Sequence, residues 1–421
     1  MTTALWAGRL PGGLDPDVRA FTASLAVDRR LHPYDVRASA AHVRMLARQG
    51  ILAPDLAGQI VDALALVEIA PDADDEDVHS AIERELGDLG RWVHAGRSRN
   101  DQVQTAMRMW VKDACAQLET EVCGLAEALL DRAEADGEAV LPGYTHGQRA
   151  QPVWLGQHLA AHAWALARDI DRFHDVHRRA DACPSGAGAL AGSSLPLDPA
   201  SVATELGFTA VHENTIDAVA DRDYCVELVF ACALTLSHLS RIGEEIVLWT
   251  SAEYGFAELD DAAATGSSMM PQKKNPDAAE IVRGRAGTAA GRVAGLLATL
   301  KGLPLAYNRD LQEDKRACFD AVDDLLGAVR ALTVCVRGIA FRPERMALAA
   351  SDGWCVATDV AEGLVREGVP FRAAHAEVAA RVAAGERFAA PTALAAAAAR
   401  QPGEALRAQI ERARATVAGR G

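Results

Sequence analysis

Long stretches of helical periodicity, broken by glycine and proline rather than by strand-forming runs, constrain this chain most. Five segments, Asp101 to Ala135, Val153 to Arg179, Asp221 to Trp249, Pro276 to Leu300 and Gln312 to Val336, keep that period for 25 to 35 residues. A globular helix averages about 11–12 residues, so helices this long fit a bundle whose members bury one another along their length. Alternating β-branched runs are almost absent, and the expected fold is all-α. Shorter amphipathic segments at 35–50, 55–70 and 77–87 come first, the acidic PDADDED run serving as a solvated loop and helix start. Three helical domains follow from this pattern: an N-terminal one over 1–99, a central long-helix bundle over 100–345, and a third over 346–421 that ends in an Ala-rich, Arg-rich tail.

Composition narrows the function classes. Half of the 421 residues are hydrophobic, enough for a large core. A net charge of −15 argues against nucleic acid or an anionic membrane as partner, because both require a basic footprint. An anionic small molecule stays open, since a local cationic site can sit in an acidic protein. The N-terminal MTTALWAGRLPGG lacks the features of a signal peptide, and no stretch approaches the ~18 apolar residues of a membrane span. A soluble cytoplasmic protein is the expectation, with eight cysteines, none in a C-x-x-C pair, as reduced structural thiols. Only five of the 43 basic residues are Lys, and four of those fall between 273 and 315. That clustering reads as a window where chemistry calls for an ammonium rather than a guanidinium.

Four polar segments lie at helix ends, where binding and catalysis concentrate. TGSSMMPQKKNPD, Thr265 to Asp277, begins flexibly and then reads as Asn275 at an N-cap with Pro276 in the first helical position. Free amides there, beside Lys273 and Asn275, make a carboxylate site, or simply an ordinary capped loop. YTHGQRAQP, Tyr144 to Pro152, gathers hydroxyls, the imidazole of His146 and two amides into a turn before a Pro-started helix, either a substrate-binding turn or a capped one. HAGRSRNDQ offers Arg97, Arg99 and Asn100 as an anion site or a solvated basic turn. YNRDLQEDKR carries Tyr307, Gln312 and Lys315 on what periodicity makes mostly an exposed helix face. His158 and His162 have the i, i+4 spacing of a helical metal pair, but HLAAH has no Glu between them and no evident third ligand, so no metal is expected. Without a P-loop or a G-x-G-x-x-G after a strand, no nucleotide cofactor is expected either.

Taken together the segments resemble the argininosuccinate lyases of the fumarase/aspartase superfamily. GSSMMPQKKNPD is similar to the signature loop in its argininosuccinate lyase form. The resemblance runs in order through LWAGRL, FTASLAVDRRLHPYDVRASAAHVRMLARQGIL, DEDVHSAIE, HAGRSRNDQVQT, LPGYTHGQRAQP, GAGALAGSSLPLD, NTIDAVADRD, LSRIGEEIVLW, LPLAYNRDLQEDK and GVPFRAAH, roughly residues 5 to 375. It implies a homotetramer whose long helices form a 20-helix bundle, with each active site shared by three chains. The implied reaction is cofactor-free elimination of arginine from argininosuccinate to give fumarate.

By that resemblance Ser267 is the catalytic base, Lys273 and Asn275 hold the carboxylate whose charge grows, and His146 handles the leaving-group proton. Ser24, Asn100, Thr145, Tyr307, Gln312 and Lys315 match substrate contacts, and Asp28 and Asp77 are candidates for the cationic arginine half. Gly147 stands where the family usually has Leu, Ala95 where Thr is common, and Ala7 and Leu10 alter the N-terminal motif. The stretch from Glu83 to His94 is short and the tail lacks the usual Gly-Gly-Thr segment. The alternatives are a paralogous lyase that releases a different amine from another N-substituted aspartate, and a non-catalytic, crystallin-like structural protein.

Overall fold

The structure, a computed structural model, describes residues 13–419, so the LWAGRL motif with Ala7 and Leu10 lies outside the described residues. Helix dominates. The five long helices are Arg99–Ala135, Leu155–Ala180, Asp223–Thr250, Asp277–Leu300 and Asp314–Gly338, each end within two residues of its expected place. Shorter helices precede them, among them the three expected from the sequence. His32–Arg48 and Pro54–Leu64 carry Pro in their first turns, and Val78–Glu85 is capped by Asp77, whose Oδ1 accepts from Ser80 N at 2.6 Å.

One helix corrects the sequence expectation about apolar stretches. Asp223–Thr250 is long and apolar enough, by length and composition, to cross a membrane. More than half of its most apolar window, 56%, is buried inside the protein, as in a core helix.

A second correction concerns residues 140–154. The expected turn before a Pro-started helix is an antiparallel hairpin, Val140–Thr145 paired with Gln148–Trp154, running from Val140 opposite Trp154 to Thr145 opposite Gln148 with a register shift between Pro142 and Tyr144. Pro152 faces Pro142 within this ladder and the helix begins only at Leu155. The cause lies in the connection. His146 and Gly147 have φ of 55° and 70°, the left-handed pair that closes a two-residue hairpin with the strands' own twist. Gly147, the departure from the usual Leu, is the residue that adopts this conformation without steric cost. Further along, Trp154 Nε1 donates to Gln401 O at 2.8 Å, and Arg149 Nη1 to Ala349 O at 3.3 Å.

The chain divides into two compact units. The first comprises residues up to Gln117, Phe173–Ala231 and Ala290–Val322; the second comprises Leu118–Arg172, Cys232–Ala289 and Asp323 onward. Leu31, Met45, Leu46, Ile60 and Leu64 are fully buried in the first. So is Arg108, which pairs with Asp221 and stacks 4.2 Å over the Tyr224 ring, while Tyr224 donates its hydroxyl to Gln104 at 2.6 Å. A buried guanidinium is tolerated only with such partners. Leu125, Leu129, Leu166, Leu236, Leu239 and Leu332 fill the second unit.

Candidate active site

In the first unit the helix Leu25–Asp28 begins at Ser24, whose backbone N–H donates to Glu76 O at 2.7 Å. Ser24 Oγ donates in turn to Asp28 Oδ2, and both residues are buried. The other oxygen, Asp28 Oδ1, is buried without a hydrogen-bond partner, an atom that a cationic ligand group would satisfy. Burial pushes the Asp28 carboxyl up from its usual range, against the pull of Lys315 and the Ser24 hydroxyl.

Lys315 is not on an exposed face: it and Asp314 are 4% and 2% exposed. The tighter 3-10 turn of Arg309–Glu313, anchored by buried Leu311, changes the angular step just before the helix starts at Asp314, so 3.6-residue counting mispredicts which way these side chains point. Lys315 Nζ lies 3.0 Å from Asp314 Oδ1, and the other Asp314 oxygen accepts from Arg222. Arg309 donates to Thr22 O at 2.8 Å and meets Glu76 at 2.9 Å, and Gln312 Nε2 reaches Thr22 O at 3.4 Å. These contacts bring the 309–315 segment against residues 22–28. Tyr307 follows Ala306, whose φ of 66° is rare for a residue with a side chain and whose methyl packs on Ala187, Ala218 and Val219. Burial raises the Tyr307 phenol's pKa, and the charge of Lys315 acts on it in the opposite sense.

Asn100 lies in the first turn of the Arg99–Ala135 helix, and its Nδ2 donates to Ala189 O at 3.1 Å. The next residue does more to fix this corner. Asp101 accepts from Ser98 N at 2.9 Å, Gly186 N at 3.2 Å and Gly188 N at 2.9 Å, tying the SRND turn to the GAGALAG loop. Burial pushes its carboxyl up to about 6 despite these amides. Asp77 is engaged as a helix cap and lies 3.3 Å from Arg99 Nε. Arg97 belongs to no solvated turn: it donates to Ser39 Oγ at 3.0 Å, beside a buried set in which Asp35 meets His79 at 3.1 Å and Gln102 Nε2 at 2.9 Å. Burial opposes ionisation of Asp35, but His79 and Arg97 outweigh it and hold the carboxyl well below the usual range.

The second unit carries the remaining candidates. Thr145 and His146 are exposed at the hairpin tip. Ser267 and Lys273 belong to the loop between two short strands, Thr265–Gly266 and Lys274–Asn275, that pair Thr265 with Asn275 and Gly266 with Lys274. Ser267 Oγ accepts from Met269 N at 3.3 Å and Met270 N at 3.0 Å. Thr265 Oγ1 donates to Asp277 Oδ2 at 2.6 Å, and Lys274 meets Asp261 at 2.8 Å, both at the base of the loop. Asn275 is not the N-cap: the helix starts at Asp277 and Glu280 N donates to Pro276 O, so the cap falls one residue later. Among the described residues no hydrogen bond joins the hairpin tip to the Ser267 loop.

Sequence reasoning also missed the partner of the histidine pair. His158 Nε2 and His162 Nε2 each lie 2.8 Å from Glu245 Oε2, a third potential ligand from the Asp223–Thr250 helix. Burial works against the Glu245 carboxylate, but the two imidazole hydrogen bonds outweigh it and keep its pKa well below the usual range. The missed pair of Arg222 with Asp314 likewise joins residues too far apart in sequence for any local pattern to connect.

Known proteins give a consistent comparison. A lyase family model matches residues 8–291, and an argininosuccinate lyase C-terminal model matches 354–408. The chain is 54% identical over 385 residues to an argininosuccinate lyase of Acidothermus cellulolyticus, covering 89% of this chain and 79% of the relative. It is 52% identical to one of Frankia casuarinae, covering 89% and 83%. Among solved structures, EDDS lyase in complex with formate has a TM-score of 0.83 at 30% identity, covering 97% of this chain and 91% of that one. The class II fumarase of Schistosoma mansoni, at 17% identity and a TM-score of 0.76 over 91% and 90% of the two chains, shares the fold. With the signature loop, the helices around it and the C-terminal portion all matched, the chain belongs to the argininosuccinate lyase family of carbon–nitrogen lyases.

Proposed function

We propose that the chain eliminates L-arginine from argininosuccinate to release fumarate, with Ser267 as the base, His146 handling the proton of the leaving amine, and Lys273 and Asn275 binding the carboxylate. The carbon acid lies next to a carboxylate, so removing its proton gives a dianionic aci-carboxylate. Stabilising that species is the main demand on the site. A serine hydroxyl is a weak base until its ionised form is favoured. The observation that carries the assignment is that Ser267 Oγ accepts from two loop amides, which favour the alkoxide over the neutral hydroxyl. Lys273 adds a compact positive charge once the loop closes over substrate and excludes water.

Ser24, Asp28, Asn100, Tyr307, Gln312 and Lys315 are the substrate contacts carried by the first unit, and Thr145 of the hairpin tip is one carried by the second. Asp28, with one oxygen lacking a hydrogen bond, suits the cationic guanidino end. Asp77 acts on the site through its cap and Arg99. A homotetramer, with sites shared by three chains and the central helices joined in a 20-helix bundle, accounts for the catalytic loop and these contacts acting together. The three helical domains at 1–99, 100–345 and 346–421 and a cytoplasmic setting belong to the same reading.

The test is fumarate release, followed by its ultraviolet absorbance, from argininosuccinate and from other N-substituted aspartates. Activity no higher than that of Ser267→Ala on argininosuccinate would rule the reading out. A second reading, release of a different amine, is favoured by the likeness to EDDS lyase and by Gly147 and Ala95. Faster turnover of another N-substituted aspartate would select it.

A further inference from the structure

Two histidines of one helix and a glutamate of another converge on one point in the second unit, and the elimination uses none of them. His158 and His162 sit one turn apart on Leu155–Ala180, and each Nε2 lies 2.8 Å from the same oxygen, Glu245 Oε2. Two ring N–H groups directed at one oxygen satisfy the cluster, but so does one cation in place of both protons. The three donor atoms all lie within 4.8 Å of one another. Ligands about 2.0–2.1 Å from a tetrahedral Zn²⁺ stand about 3.3 Å apart, so each histidine–glutamate distance needs to open by about half an ångström.

The surroundings suit a borderline transition-metal ion. The His158, His162 and Glu245 side chains are 27%, 13% and 28% exposed, so an ion can enter and a water can complete its coordination. A hollow of about 20 Å³ beside them is walled by Leu159, Ile242, Ile246 and Trp249, and the Trp249 ring lies 5.2 Å from that of His158. Arg132 also lines this hollow, but its charge is answered elsewhere. It donates to Ile339 O at 2.8 Å, lies 2.8 Å from Asp136 and stacks 5.2 Å from the Phe341 ring. Two imidazoles with a single carboxylate select against Mg²⁺ and Ca²⁺, which require mostly oxygen ligands.

We propose that His158, His162 and Glu245 form a zinc-class divalent metal site that staples the Leu155–Ala180 helix to the Asp223–Thr250 helix. The ion takes the Nε2 lone pair of each ring, whose proton then resides on Nδ1, and one Glu245 oxygen, with water in the open position.

The full chain, stripped with a chelator and desalted, is titrated with Co²⁺ as a spectroscopic stand-in and then with Zn²⁺. The expected result is one Co²⁺ per chain with the visible bands of a low-coordinate nitrogen–oxygen site, displacement by Zn²⁺, and a higher Tm when saturated. His162→Ala and Glu245→Gln, on different helices and each checked by circular dichroism, weaken uptake by at least about 100-fold, whereas His177→Ala leaves it unchanged. Absence of bands and of a Tm shift in the wild type overturns the site, a result that needs no variant to fold. Equal uptake by His162→Ala and Glu245→Gln shows adventitious binding to surface histidines and overturns it as well.

Discussion

Arg222 and Asp314 form an ion pair almost wholly removed from solvent, with side chains 1% and 3% exposed. Asp314 also holds Lys315, so one carboxylate answers two buried cations. Burial alone would discharge these groups. Their mutual attraction prevails, keeping Asp314 below the usual carboxylate range and Lys315 above the usual amine one. Asp314→Asn removes the carboxylate that both buried cations face, with Asp28 left as an acid acting on Lys315, and is expected to cost about 3–5 kcal/mol, measured as a lower urea midpoint. An unchanged midpoint would show that water or a repacked side chain takes over its role.

Ser267 makes its hydrogen bonds only within its own exposed loop, so its loss touches no core. Ser267→Ala should leave stability within about 0.5 kcal/mol of the wild type. Fumarate release from argininosuccinate should fall by about 10² to 10⁴, the contribution of a positioned base. Near-normal turnover would assign the base to another group.

His42 is 2% exposed, and its Nε2 lies 2.9 Å from Ala95 O. Burial, with the charge of Arg97 adding to it, pulls its pKa down to about 3. An unfolded histidine takes a proton near pH ~6.5, so between that pH and about 3 the unfolded chain binds a proton that the folded chain refuses. The stabilisation is full above the upper limit and is lost as pH falls through the window. From pH 7 to 5 the loss amounts to about 2 kcal/mol. His42→Gln, which can still donate to Ala95 O, should flatten urea midpoint against pH. Parallel curves for the two proteins would sink this account.

Gly188 has a φ of 60°, and a Cβ there would stand 2.8 Å from Gly192 O. Both the backbone conformation and the close approach exclude a side chain. Gly188→Ala should destabilise the chain by about 1–3 kcal/mol and disturb the amide that Asp101 accepts from, raising KM through neighbouring Asn100. A variant with unaltered Tm and KM would mean that the loop adjusts freely.

The long helices were legible because a 3.6-residue period sustained over 25 residues or more admits one reading, and their ends fell within two residues of the structure. The hairpin was not, because its polar tip reads equally as a helix cap until His146 and Gly147 are known to share positive φ. Lys315 was expected on an exposed face, and the 3-10 turn before it defeats any single-period extrapolation. Motif order revealed the composition of the signature loop and the lyase family. No local signal pointed to Glu245 beside His158 and His162, or to Arg222 beside Asp314, since these partners meet only through the packing of segments distant in sequence.

The small ladder of Thr265 with Asn275 and Gly266 with Lys274 has a mechanical consequence. It pins both ends of the loop that carries Ser267, and the Thr265 bond to Asp277 fastens that base to the start of the next helix. Movement at the tip is thereby insulated from the bundle, as a latch swings without shifting its door frame. The proposed base can move with its loop while the long helices that set its position stay still.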